Sequence, residues 1–362
     1  MCSDFVKPLL LWYNTQGRDL PWRKTKDPYR IWVSEIMLQQ TRVEAVKDYY
    51  ERFLKALPDI DALADCPEDE LNKLWEGLGY YSRVRNMQKA ARTVREQHGG
   101  RMPQEKNELI KLPGIGDYTS GAIASIAFGK PEPAVDGNVI RIVSRIRVLK
   151  KDFSSAKEKR NLTEFLRTLV LPENENWGDL NQAFMDLGSG ICLPNSAPRC
   201  EECPIMEFCF AHKSGNETEY PVRTEKKPRR IDQMTVMLIR NGDKLAIRKR
   251  PAKGLLPNLY EFPNTAGILS EEEAVHAAET ITDLEAIRIK RIPDARHIFS
   301  HVEWHMKGYE IVMTPGDEKC PKSGLIYAEA GEIEREYPIP SAFAAYAKYL
   351  NIHLGKKGPS NK

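Results

Sequence analysis

The sequence predicts a two-part chain, an all-α half running to about residue 211 followed by an α+β domain of roughly 130 residues. Three observations carry this. Apolar residues recur at helical spacing through residues 31–47 and 70–98, and almost nothing in that half alternates at period two. Pro58, Pro67, Gly99-Gly100 and Pro103 punctuate those segments. Beyond residue 233 the pattern changes: the apolar runs 234–239 and 244–247 flank Asn241-Gly242, the strongest short-range signal for a β-hairpin. A helical pattern over 270–280, a strand-like run over 306–314 and a last helix near 341–351 complete the second domain.

Between the two parts, residues 213–231 read as a basic linker: Ser214-Gly215-Asn216 leads through Arg223 to Lys226-Lys227-Pro228-Arg229-Arg230. This divides the chain into 1–212, the linker, and 232–358. The overall charge balance, 54 basic against 51 acidic residues, is too even to establish a nucleic-acid partner. A mean hydropathy of −0.51 fits a water-soluble chain. No run approaches the length of a membrane span, and no basic-then-apolar leader follows Met1-Cys2-Ser3-Asp4. An intracellular protein is therefore expected (cytoplasm or nucleoid if the source is bacterial), with no membrane partner.

Seven cysteines in such a chain do not suggest disulfides. Cys2, Cys66 and Cys320 are scattered and read as inert thiols. Cys192, Cys200, Cys203 and Cys209 are crowded together, spaced x7, x2 and x5, and can converge only if a compact loop wraps one centre. Four thiolates suit zinc or an iron–sulfur cluster. Zinc ribbons usually pair two Cys-x-x-Cys knuckles and only one is present, so one 4Fe–4S cluster is the expected cofactor. Arg199, His212 and Lys213 would add positive charge suited to a phosphate.

Leu112-Pro113-Gly114-Ile115-Gly116 lies between two helical segments. Two glycines at a helix N-terminus let backbone N–H groups approach an anion, although a plain tight turn also explains them. Flanked this way, the segment resembles the helix-hairpin-helix motif, which grips a DNA phosphate through groups such as those of Gly114 and Gly116 without reading sequence. Twenty residues on, Asp136 precedes a helical run, where a helix N-cap is its ordinary reading.

Together with residues 32–41 (Trp-Val-Ser-Glu-Ile-Met-Leu-Gln-Gln-Thr), Gly77-Leu78-Gly79-Tyr80-Tyr81, Val135-Asp136-Gly137-Asn138 and the four cysteines, these motifs resemble the MutY-type adenine DNA glycosylases. The resemblance spans residues 18–209. It departs in having seven residues, not the family's usual six, between the first two cluster cysteines. It implies a multidomain chain: an all-α helix-hairpin-helix glycosylase domain with a four-cysteine iron–sulfur loop at 192–209, then an α+β Nudix-like domain. The implied activity is monofunctional hydrolysis of the N-glycosidic bond of adenine mispaired with 8-oxoguanine or guanine in duplex DNA. The implied protein is a monomer in base excision repair.

Glu35 sits among Trp, Val, Ile, Met and Leu, so its carboxyl is either on a solvated face or in an apolar pocket with a raised pKa, as a general acid requires. It is the candidate to protonate adenine N7. Asp136 is the candidate to stabilise or trap the sugar oxocarbenium, as in paired-carboxylate glycosidases, with Tyr118 and Asn138 orienting the pair. Tyr118 stands where the endonuclease III-like lyases carry lysine, and a phenol forms no Schiff base.

By the same resemblance Arg18, Leu20, Trp22, Arg23 and Gln182 line the adenine pocket, while Gln40 and Tyr80 wedge into the gap left by the everted base. Core packing is the alternative for Leu20 and Trp22. Arg85, Lys89 and Arg92 form a basic helix stripe that either tracks phosphates or is merely solvated; Lys111 reads as a surface charge. An endonuclease III-like lyase on oxidised pyrimidines and a non-catalytic iron–sulfur DNA-binding protein are the competing readings.

Residues 247–263 resemble the opening of a Nudix fold. Counting from Gly267, Glu273 fits the metal-binding Nudix box, but Ile281 and Thr282 occupy its Arg-Glu positions, so pyrophosphatase activity is not expected. What remains is a recognition module in which Phe299, Ser300 and His301 match the family's 8-oxoguanine-reading loop.

Overall fold

The computed structural model of the protein describes residues 3–194, 196–222, 228–316 and 324–355. Cys2, Cys320 and residues 223–227 of the expected linker lie outside them. Contacts divide the described chain into two units, residues 3–65 with 86–222 and residues 66–85 with 228–355. The division is therefore not a single break near residue 212. Residues 66–85 group with the second unit because their polar side chains are satisfied there. The buried carboxylate of Glu76 accepts from the amides of Ile339 (2.9 Å) and Gly355 (3.0 Å), and Lys249 pairs with Asp69 at 2.7 Å. Lys213 closes the helix Phe210–Lys213, Tyr220 is buried, and Arg230 already begins a strand.

The first unit is helical among its described residues. Four helices frame its site, and each begins or packs through an identifiable local device. Pro28–Met37 starts at Pro28, with the Asp27 side chain accepting from Arg30 N, and buries every residue but two. Asp117–Phe128 is built of small residues, and a Cβ on Gly121 would stand 2.5 Å from Pro133 O, so only glycine permits that approach. Gly137–Arg147 is capped by Asp136, and Trp177–Gly190 by Asn176. Leu9, Val139, Ile142, Leu180, Phe184 and Leu187 lie at the centre of the shared core. No helix among the described residues is long and apolar enough to cross a membrane.

Two segments that read as continuous helices are broken. The periodicity over 31–47 is divided into Pro28–Met37 and Val43–Ala56 by a turn in which Gln40 takes φ +61°. That over 70–98 is divided into Glu68–Leu74 and Ser82–His98 by a turn with Gly77 (φ +96°), Gly79 (φ +70°) and Tyr80 (φ +48°). Left-handed backbone at Gln40 and Tyr80 is costly for side chains with a Cβ.

The second unit holds a mixed sheet: β1 (Arg230–Asn241), β2 (Lys244–Lys249), β3 (Tyr260–Glu261), β4 (Asn264–Ala266), β5 (Ala286–Ile298), β6 (Val302–Met313) and β7 (Leu325–Ala328). The order is β3-β2-β1-β6-β5, with β1 and β6 parallel, β4 also on β1 and β7 also on β2. The Asn-Gly signal does mark a hairpin, but Asn241 pairs with Lys244, so Gly242 (φ +60°) and Asp243 form the two-residue loop.

The unbroken apolar run of β1 serves two cores. Val236 and Leu238 face Trp304 and Phe343, while Met237 and Ile239 face Ala274 and Ala278 of the helix Glu271–Thr282. Glu273 completes a capping box with Ser270 at the start of that helix, and Ile281 and Thr282 pack inward. The acid left over from a Nudix box here holds a helix end.

Candidate active site

Glu35, Tyr118, Asp136, Asn138 and Gln182 line one cavity of about 160 Å³ in the first unit, together with Arg18, Leu20, Trp22 and Arg23. Glu35 is 4% exposed, because the helix that carries it turns nearly every side inward. The Tyr118 hydroxyl donates to its Oε2 at 2.6 Å. Burial, and then the charge of Asp136, raise the Glu35 pKa to about 7 against the pull of Tyr118 and Arg23. Burial likewise holds the Tyr118 phenol well above its ordinary value, so it stays a proton donor.

Asp136 is differently provided for. It does cap its helix, Oδ1 accepting from the amides of Asn138 and Val139 at 2.8 Å, while Oδ2 accepts from Asn138 Nδ2 at 2.7 Å. Burial raises its pKa too, but these three donors and the Arg141 guanidinium work against that rise. Two carboxyls in one cavity thus have one donor and three donors respectively, which favours the proton on Glu35 and the charge on Asp136.

Sequence reasoning overlooked what stands behind Asp136. Buried Arg141 donates through Nη2 to Asn138 Oδ1 (2.9 Å) and Gly188 O (2.7 Å), and through Nε to Cys192 O (2.7 Å). Gly188 makes room for the amide, since a Cβ there would lie 2.5 Å from Asn138 Cβ. An arginine inside an apolar helix was the available signal. Asp186 was also missed. It takes both Arg18 (Nη2 to Oδ1, 2.5 Å) and Arg23 (Nη1 to Oδ2, 2.5 Å), so the two cations share one carboxylate and the triad keeps one net positive charge at the cavity wall. Gln182 accepts from the Tyr13 hydroxyl at 3.1 Å. Leu20 and Trp22 are buried and also line the cavity, so the packing and pocket readings describe the same wall.

The four clustered cysteines line one small void of about 30 Å³. The seven-residue spacer between Cys192 and Cys200 is pinched at its neck by Arg199 N donating to Ile191 O at 3.0 Å, so its one extra residue lengthens the loop without separating the thiols. Arg145 donates to Cys192 Sγ at 3.2 Å. Burial and then Glu217 push the Cys200 thiol up to about 12, and burial pushes Cys203 to about 11. Four thiols set round one void fit a cation that would displace their protons. Of the charges expected beside this loop, His212 is bound to Glu217 (2.7 Å) and Arg199 pairs with Glu202 (3.5 Å). Cys200, His212 and Glu217 also form a compact mixed ligand set.

In the hairpin, Gly114 takes φ +78° and a Cβ would meet Asn86 Cβ at 2.7 Å, whereas Gly116 is the exposed N-cap of Asp117–Phe128 with no side-chain cap. That helix start has no side-chain acceptor of its own. Lys111 pairs with Glu108 on the surface. In the basic stripe, Arg85 and Arg92 donate to the carbonyls of Pro257 (3.0 Å) and Ala64 (2.9 Å).

Residues 33–168 match the family described as HhH-GPD superfamily base excision DNA repair protein, and 235–349 match the NUDIX domain. The chain is 33% identical to the adenine DNA glycosylase of Homo sapiens, covering 98% of this chain and 75% of that one. It is 35% identical to that of Buchnera aphidicola subsp. Schizaphis graminum, with 83% and 86% covered. The chain belongs to the adenine DNA glycosylase family. Among solved structures, a thermostable thymine-DNA glycosylase superposes with a TM-score of 0.51 at 33% identity, over 58% of this chain and 95% of that one. A trapped endonuclease III–DNA covalent intermediate superposes at 0.50 and 23% identity, over 58% and 94%.

Outside the cavity, the remaining candidates of this glycosylase-family chain lie on turns. Gln40 is exposed between Leu38 and Thr41, which line the cavity. Tyr80, Phe299, Ser300 and His301 line a second cavity of about 530 Å³ in the second unit, where Tyr80 Oη and Ser300 Oγ lie 2.9 Å apart. Phe299 is anchored edge-to-face on Trp304 (4.8 Å) and His297 (4.6 Å), leaving Ser300 and His301 exposed at the tip of the β5–β6 hairpin.

Because burial raises the Glu35 pKa, the folded state holds its proton above the pH where the unfolded chain loses it. That contribution is complete below the ordinary carboxyl range and is lost as pH rises through about 7. Denaturant melts of the wild type and Glu35→Gln should nearly coincide at pH 4.5 and diverge in the variant's favour by up to about 3 kcal/mol at pH 8. A difference that does not change with pH contradicts this.

Proposed function

We propose that this chain hydrolyses the N-glycosidic bond of adenine paired with 8-oxoguanine, or with guanine, in double-stranded DNA, acting as a monomer and without cutting the strand. The observation that carries this reading is the unequal treatment of two carboxyls in one cavity, Glu35 dry with a single donor and Asp136 held by three. Adenine is a poor leaving anion, so its N7 must gain a proton before the bond to C1′ breaks. Glu35 Oε supplies that proton, the C1′–N9 pair leaves with the base, and the sugar becomes an oxocarbenium ion. The Asp136 carboxylate stabilises that cation or forms a transient ester with C1′. Glu35, now ionised, takes a proton from water as the hydroxyl adds to C1′, leaving free adenine and an abasic site. Tyr118 keeps Glu35 oriented, and its phenol cannot form the Schiff base that a lyase needs.

The hairpin amides beyond Gly114 and Gly116 would take a phosphate of the duplex, and Gln40 and Tyr80 would fill the stack beside the everted nucleotide. Phe299, Ser300 and His301 would read the opposite base. Ser and His offer hydrogen bonds to the edge on which 8-oxoguanine differs from guanine, and Phe299 supports the loop from within. Cys192, Cys200, Cys203 and Cys209 would hold one 4Fe–4S cluster, which when bound supplies four metal–thiolate bonds that tie the loop together.

Paired incubations of adenine:8-oxoguanine and thymine-glycol duplexes test the whole reading. Adenine should be released and breaks should appear only after alkali, with the rate falling as pH rises above about 7. Glu35→Gln should lose release by at least about a hundredfold, within the range for a general acid, while still binding the duplex. Strand scission without alkali, or turnover by the variant, contradicts it. Ser300→Ala should narrow the rate ratio between 8-oxoguanine and guanine opposite adenine, and an unchanged ratio removes Ser300 from recognition. Anaerobically purified protein should carry about four iron atoms per chain, and stoichiometric zinc would overturn the cluster assignment.

A further inference from the structure

The turn that presents Tyr80 is built against its own backbone preference. Gly77, Gly79 and Tyr80 all take left-handed φ, and Tyr80 is 47% exposed while its neighbours Leu78 and Tyr81 are buried. The Tyr80 hydroxyl meets Ser300 Oγ at 2.9 Å, but that contact holds the ring tip and not the strained backbone of the turn.

Arg83 is placed to hold it. Nη2 donates to both Leu78 O (2.9 Å) and Gly79 O (3.0 Å), and Trp75 Nε1 donates to Gly79 O as well (3.0 Å). The guanidinium lies over the Trp75 ring at 5.1 Å and near the Tyr80 ring at 5.9 Å. Burial lowers its pKa to about 10, which leaves it charged at neutral pH. One planar cation thus satisfies two carbonyls of the left-handed turn and lies within about 6 Å of two aromatic rings, Trp75 and Tyr80. Lysine has the charge but neither the fork nor the plane.

We propose that Arg83 is the positioning residue for the Tyr80 wedge, bracing the 77–81 turn so that the phenol ring is already aimed when the duplex arrives. This rests on the reading of Tyr80 as a wedge. A pre-set ring has no backbone entropy left to lose when it enters the stack, which makes eversion of the target base less costly.

The test measures base eversion in the full-length protein. The probe is a duplex with hydrolysis-resistant 2′-fluoro-deoxyadenosine opposite 8-oxoguanine and 2-aminopurine as its neighbour, whose fluorescence rises when the target base leaves the stack. Arg83→Lys should lower the eversion equilibrium by about tenfold, the effect of losing one hydrogen bond from a charged donor. Thermal melts and the salt slope of duplex affinity should stay close to the wild type, and any loss of affinity should be no larger than the loss of eversion. Tyr80→Ala should lower eversion at least as much, and the double variant should be no worse than Tyr80→Ala alone, because Arg83 acts through Tyr80.

If Tyr80→Ala lowers eversion and Arg83→Lys does not, or if the two losses add, the bracing role is overturned while the wedge stands. If Tyr80→Ala has no effect, the wedge reading itself fails. A reduced salt dependence in Arg83→Gln, which removes the charge that Arg83→Lys keeps, would make Arg83 a phosphate contact and also overturn the proposal. Should Arg83→Lys unfold, Trp75→Phe, which removes the second donor to Gly79 O and shortens the buried ring under the guanidinium, must lower eversion in the same direction.

Discussion

Removing water from a carboxyl group is costly, and the first unit is arranged around doing so twice in one cavity with different results. Glu35 is surrounded by the inward-facing residues of its helix and left a single phenolic donor. Asp136 is placed at a helix start, where backbone amides converge by geometry and Asn138 adds a side-chain donor. The same burial acts on both groups, and the difference in hydrogen bonding separates them. Reaction chemistry that needs an acid and an anion side by side at neutral pH follows from that separation.

The supports of this arrangement are close approaches and buried cations rather than additional acids. Gly188 lets one helix come within contact of the Asn138 side chain, and Gly121 lets another lie on Pro133. Arg141 then uses its fork to bind Asn138, Gly188 and the carbonyl of Cys192 at once. The residue that orients Asp136 is thereby also fastened to the first cysteine of the thiol loop, so disorder in that loop has a direct mechanical path to the cavity.

In the second unit the Nudix-like scaffold gives positions of the metal-binding motif to capping and packing. The acid that fits a Nudix metal site caps a helix, and two further positions of that motif are occupied by packed Ile281 and Thr282. The long β5–β6 hairpin instead carries Ser300 and His301 at its tip on a ladder of aromatic rings, His297, Phe299 and Trp304. Strained turns recur where side chains must project. Gln40 and Tyr80 both adopt left-handed backbone, and both interrupt segments whose periodicity alone reads as unbroken helix.

Composition, periodicity and motif spacing by themselves determined the helical half, the sheet-bearing second domain, the Gly242 hairpin, the thiol loop and the presence of an acidic residue in an apolar helix. These are local properties, set by propensity and by residues close in sequence. Strand β5 escaped because it is an edge strand whose exposed cations, among them Lys290 and Arg291 on successive residues, fall on both of its faces, which masks the alternation. The helix breaks at Gln40 and Tyr80, the capture of Arg18 and Arg23 by Asp186, and the grouping of residues 66–85 with the second unit were decided only by tertiary structure. Each depends on a partner more than a hundred residues away, or on a backbone strain that the surrounding packing must sustain, and neither is encoded in local periodicity.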